Sequence, residues 1–194
     1  MVSIKKRNLL LYLAGIFIAL QVAASIGRAG EASDRPVPDP HINNQRLHKK
    51  ILAFRRGGVE KKINTSDYDV EGVIKYAKSL LGTPHVMGGY SPSGLDCSGL
   101  VKLVHAKYGV ELPRSSHDQG RYGKIISSPE ELKRGDLVFF HSTYKKSELI
   151  THSGIYLGDN KFIHTSTSRG VSISTLFDSS YWQSHYLFAT RLSD

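Results

Sequence analysis

The apolar residues of this chain change period once, near Gly135, and that change restricts the fold more than any other feature. Before it, Val70, Val73, Ile74, Ala77, Leu80 and Leu81 recur at helical spacing behind Ser66-Asp-Tyr-Asp69, which resembles a capping box, and Gly82 ends the run. Leu100, Val101, Val104 and Tyr108 mark a second helix closed by Gly109, with Cys97 in its first turn. After Gly135 the pattern reads as strands: Leu137–Phe140, Ser153–Leu157, Lys161–His164, the alternating Val171–Ser174, and Tyr186–Thr190. Helices followed by an antiparallel sheet predict an α+β fold with the helices packed on one face of the sheet.

The amino-terminal third reads differently. Lys5, Lys6 and Arg7 precede an apolar run from Leu9 to Leu20, and Val22, Ala23 and Ala24 are small residues suited to cleavage. This predicts a signal peptide over 1–24, with 29 as the alternative end, although the run could also serve as an uncleaved anchor. Residues 25–65 hold Pro36, Pro38 and Pro40, then a stretch rich in Lys and Arg, and are expected to be a basic linker ahead of a catalytic domain at 66–194. The net charge of +9 is not a property of the folded part, since residues 70–194 carry fourteen basic against eleven acidic side chains. Nucleic acid is therefore not expected as a partner, whereas weak contact of the basic linker with anionic membrane or wall polymer is.

An exported chain normally uses cysteines in pairs, and this one has only Cys97. No intrachain disulfide can form, and no Cys lies near the end of the signal region to carry a lipid. A lone thiol is either a small buried hydrophobe or a reactive group. At a helix N-terminus the exposed amides favour the thiolate, and Gly88, Gly89, Gly94 and Gly99 let backbone approach a substrate. A nucleophilic Cys needs an imidazole to accept its proton, and that imidazole needs an orienting partner. His152 and His164, on strands joined by the turn Gly158-Asp-Asn-Lys161, supply both. A tight two-residue turn would point them to opposite faces, so a bulge near Ser153-Gly154 or a wider loop is required. Their spacing matches no common zinc pattern, and no second Cys completes a site, so no metal or cofactor is expected.

Six motifs in order, Leu81-Gly-Thr-Pro-His-Val-Met-Gly-Gly, Leu95-Asp-Cys-Ser-Gly-Leu-Val, Leu112-Pro-Arg-Ser-Ser, Arg134-Gly-Asp-Leu-Val-Phe-Phe, Thr151-His-Ser-Gly-Ile-Tyr-Leu-Gly and Phe162-Ile-His-Thr-Ser-Thr, resemble those of NlpC-type cell-wall cysteine peptidases. Gly170-Val-Ser-Ile-Ser-Thr-Leu and Tyr181-Trp182 look most like the Spr and NlpC branch of murein endopeptidases. The resemblance implies a papain-like fold and hydrolysis of amide bonds in peptidoglycan stem peptides, at either the D,D cross-link or the D-glutamyl–diaminopimelate bond. It implies Cys97 as nucleophile, His152 as general base and His164 as its orienting residue. Asp96, Ser98, Arg114 and Ser116 match substrate-binding positions, although Asp96 and Arg114 could equally form a structural ion pair and Ser116 could cap a short helix. His85 stands where relatives carry an oxyanion-binding or substrate-binding Tyr, and Met87 where they carry Trp. The expected protein is thus a periplasmic or secreted monomer, not a lipoprotein. The alternatives are a peptidoglycan-binding protein with weakened catalysis and an effector or acyltransferase exported against other cells.

Overall fold

The apolar residues Leu47, Ile51 and Phe54 fall at helical spacing within the basic segment, and they belong to a helix, α1 (Pro40–Arg56). In this computed structural model the described residues are 40–66, 68–145 and 147–193, so the expected signal peptide lies outside them. Leu47–Asp194 makes up one compact unit, and of the residues before it only 40–46 are described. The expectation of a linker running to residue 65 is corrected here. Phe54 is buried against His117 and Phe188, and Leu47, Ile51, Val59 and Ile63 pack on the same core. Arg121 donates to the carbonyls of Phe54 and Gly58, both at 2.8 Å, tying the end of α1 and the turn after it to a segment far along the chain.

Next comes α2 (Val70–Ser79), whose N-cap is Asp69 rather than Ser66: the Asp69 carboxylate accepts from the Gly72 N–H at 3.0 Å. A small hairpin, β1 (Tyr90–Ser91) and β2 (Gly94–Leu95), leads into α3 (Cys97–Ala106), and a single turn, α4 (Ser116–Gln119), follows. The strands β3 (Lys124–Ile126), β4 (Leu137–Phe140), β5 (His152–Gly158), β6 (Lys161–Ser166) and β7 (Gly170–Thr175) precede a short helix α5 (Ser180–His185) and β8 (Tyr186–Arg191). They form one antiparallel sheet in the order β3-β8-β4-β5-β6-β7. The α+β reading holds, with one addition. The main core lies under α2 and α3, and the other face has its own smaller core, where Val138, Phe140 and Phe162 meet Leu176, Phe177 and Trp182.

The β5–β6 hairpin contains the expected bulge, but in a different place. Asp159 and Asn160 form a tight turn with φ of 49° and 58°. The register shifts between Tyr156 and Gly158, so the extra residue is Leu157, beside the turn, rather than one near Ser153-Gly154. Beyond it Ile155 pairs with Ile163, in the main core. His152 and His164 lie an odd number of residues from that pair, and both therefore share the face that carries Phe140 and Phe162.

One close approach fixes the start of α3. A Cβ at Gly99 would meet the Gly89 carbonyl oxygen at 2.0 Å. Gly99→Ala is expected to cost about 1–3 kcal/mol, read from the urea midpoint, because the first turn of α3 must move. The same shift displaces Cys97, so reactivity of its thiol should fall with stability.

Candidate active site

Asp96 organises the approach to Cys97. Its carboxylate caps α3 by accepting from the Gly99 N–H at 2.7 Å and accepts from the Gly88 N–H at 3.0 Å. Arg114 donates to both carboxylate oxygens, at 2.9 and 2.7 Å, and also to Ser98 Oγ and the Gly89 carbonyl. Burial pushes the Asp96 carboxyl up, but Arg114, the Gly99 amide and the Ser98 hydroxyl outweigh it and hold the group below its usual range. Asp96, Ser98 and Arg114 are thus one bidentate ion-pair network that ties the glycine loop to the helix start. The N-cap of α4 is Ser115, whose hydroxyl accepts from the Asp118 N–H at 3.1 Å, and Ser116 is the first, buried residue of that turn. Fully buried Gln119 donates to the Ser98 and Pro113 carbonyls, and the Ser153 hydroxyl donates to it, joining α4, α3 and β5.

Cys97 is the first residue of α3, His152 the first of β5 and His164 the fourth of β6. All three line one cleft of about 590 Å³ together with His85, Asp96, Ser98, Arg114 and Ser116. The eight side chains named from the sequence as site candidates are therefore at one place. His152 Nε2 lies 3.0 Å from His164 Nδ1, both side chains being buried. With Nε2 engaged, Nδ1 is the His152 nitrogen left to accept a proton. Burial pushes the Cys97 thiol up to about 11, with Asp96 acting the same way, while the backbone N–H groups of Ser153, Ser98 and Cys97 oppose it. Burial takes His152 down to about 3, and His85 adds to this against Asp96. Burial disfavours both the thiolate and the imidazolium, against the backbone N–H groups at the start of α3 that favour the thiolate.

Three residues that the sequence did not single out for a role complete the site. Trp182 of α5 stacks on His152 (centroids 5.2 Å apart, 27° between planes) and meets His164 edge-on at 4.8 Å. Ser174 of β7 contacts His164 Nε2 at 3.0 Å, and Arg169 donates to Ser174 at 3.2 Å. The one available signal was that Trp182 is the chain's single tryptophan, next to Tyr181.

The NlpC/P60 family pattern matches residues 82–191, more than half of the chain. The chain belongs to the NlpC/P60 family. It is 40% identical over 112 residues to the murein DD-endopeptidase MepS/murein LD-carboxypeptidase of Escherichia coli K12, covering 57% of this chain and 56% of that protein. It is 42% identical over 123 residues to the bifunctional muramidase/DL-endopeptidase CwlT of Bacillus subtilis, covering 63% of this chain and 36% of that one. An NLP/P60 family structure from Staphylococcus aureus, described as similar to a lipoprotein, superposes with a TM-score of 0.59 at 39% identity, over 68% of this chain and 45% of that one. The chain spans between a third and just over half the length of several curated relatives it matches, and 78% of the probable endopeptidase NlpC of Escherichia coli K12. The cleft, the whole sheet and all but the first residue of the ordered motifs lie inside the NlpC/P60 portion, and α1 and α2 precede it.

Proposed function

We propose that this chain is an exported cysteine endopeptidase that hydrolyses amide bonds in peptidoglycan stem peptides or their cross-links. The observation that carries the reading is the His152–His164 hydrogen bond in the cleft that also holds Cys97 at the start of α3. In the proposed reaction the Cys97 sulfur attacks the amide carbonyl carbon while the thiol proton passes to His152 Nδ1. The oxyanion is held by the Cys97 backbone N–H with His85 assisting, and His152 returns its proton to the leaving amine. Water, deprotonated by His152, then attacks the thioester and releases the new carboxylate and the thiol. Asp96, Ser98, Arg114 and Ser116 are proposed to shape the wall against which the stem peptide lies. His164 orients His152 throughout.

Export by the 1–24 segment, or by one ending at 29, places the reaction in the periplasm or outside the cell, with the chain acting as a monomer. The exposed cations Lys49, Arg55, Arg56, Lys61 and Lys62 are proposed to give weak, salt-sensitive contact with anionic wall polymer or membrane. The names of relatives include both a DD-endopeptidase and a DL-endopeptidase. Incubating the purified chain with intact sacculi and with isolated muropeptides, followed by mass analysis, decides between the bonds. Conversion of cross-linked dimers to intact monomers identifies the D,D reaction, and stems shortened to D-glutamate identify the D,L reaction. No product from either substrate would refute the peptidase reading in favour of a binding protein.

A further inference from the structure

The hydrogen-bond chain does not stop at the two histidines. His164 is fully buried, and its Nε2 lies 3.0 Å from Ser174 Oγ, while Arg169 Nη2 donates to the same oxygen at 3.2 Å. Register explains the contact. On the β6–β7 pair His164 stands opposite Ser172 and Phe162 opposite Ser174, so Ser174 reaches His164 as a diagonal neighbour on the same face.

We propose that Ser174, held in place by Arg169, is a positioning residue that supports the productive direction of the proton relay by accepting the Nε2–H of His164. This rests on the reading of Cys97 as nucleophile and His152 as base. Two neutral imidazoles joined through His152 Nε2 and His164 Nδ1 share one hydrogen and have two arrangements. If His164 Nδ1–H donates to His152 Nε2, the His152 proton sits on Nδ1, where the ring cannot take the thiol proton. If His152 Nε2–H donates to His164 Nδ1, then His152 Nδ1 is a base, and the His164 proton sits on Nε2 and needs an acceptor. The second arrangement is also the one required once His152 has become an imidazolium, because both of its nitrogens then carry hydrogen.

Ser174 Oγ supplies that acceptor, and without it the Nε2–H of His164 would be an unpaired donor in a buried position. Arg169 can only donate, so it occupies another acceptor site of the Ser174 oxygen and fixes where that oxygen stands. The charged and titratable groups acting on His164 are His152 and Arg169, and those acting on His152 are His85 and Asp96. The Arg169 cation works against a second proton on His164, which keeps the positive charge of the reacting state on His152.

The test is alkylation of Cys97 by iodoacetamide at pH 6 to 8, followed by intact mass, which is unambiguous with one cysteine in the chain. His152→Ala is expected to slow it by about 100-fold, Ser174→Ala by about tenfold, and Ser174→Thr, which keeps a hydroxyl on the strand, by less than about threefold. Arg169→Leu should fall between the last two. Ser174→Ala reacting at the wild-type rate would overturn the proposal. So would Ser174→Thr reacting as slowly as Ser174→Ala, since the hydroxyl would then have no role of its own. A wild-type rate equal to that of His152→Ala would instead refute the reading of the site itself and this inference with it. A His152-dependent rate indifferent to Ser174 refutes this inference alone.

Discussion

Replacing His152 with alanine is expected to lower kcat/KM on muropeptides by on the order of 1000-fold or more, and Cys97→Ala to leave no hydrolysis above background. The size follows from how the pair is set up. Burial raises the thiol and lowers the imidazole, so each charged form depends on the other for its stability. Without His152 the sulfur must give its proton to water from a desolvated position, and the leaving amine loses its proton donor in the second half of the reaction. Cys97 and His152 act as one unit, so the double variant should be no slower than Cys97→Ala, and additive losses would contradict the scheme. His164→Ala should cost less, on the order of 10- to 100-fold, because it removes the partner of Nε2 and not the base.

The second large effect is on stability in acid. His105 is fully buried in α3, its Nδ1–H donating to the Val101 carbonyl at 2.7 Å and its Nε2 accepting from the Tyr68 hydroxyl at 3.2 Å. Both ring nitrogens are committed to the neutral form. Burial lowers its pKa from 6.5 to about 4, while burial raises the Tyr68 phenol well above its usual value and keeps it a donor. The unfolded chain therefore binds a proton that the native one does not, and stability present above pH 6.5 is lost as pH falls toward 4. Between pH 7 and 4.5 this one residue removes on the order of 2 kcal/mol. His141 and His152, also held below 6.5 by burial, act with the same sign. Urea unfolding at the two pH values checks this. Whatever His105→Gln costs at pH 7, its loss between pH 7 and 4.5 should be smaller than the wild type's by on the order of 2 kcal/mol, and equal losses would refute the assignment.

Most of the fold was legible because the long elements repeat cleanly. The apolar faces of α2 and α3 and the alternation in β7 each stand out, and the ends differ from the sequence reading by one to a few residues. What escaped has physical reasons. The helix α1 was hidden because Leu47, Ile51 and Phe54 sit among cations that dominate any composition window, and its burial depends on Arg121, Phe188 and His117 far along the chain. The strand β3 has only three residues, too few for a period to show. Cys97, His152 and His164 could be found because chemistry restricts which residue types can serve. Ser174, Arg169 and Trp182 could not, because their contacts to the histidines come from the register of β6 with β7 and the docking of α5. Local signals also misplaced two caps by a few residues, at Asp69 and Ser115, since several neighbouring Ser and Asp side chains could have served.

The measurement that bears most directly on the account is digestion of purified muropeptides in water enriched in oxygen-18, by the wild type and by Cys97→Ala, with mass analysis of the products. The account predicts one heavy oxygen in each newly formed carboxyl group, from the wild type only, because water resolves a thioester on Cys97. Cleavage by Cys97→Ala, or wild-type products whose acyl group has passed to an amine without taking up oxygen from water, would contradict it.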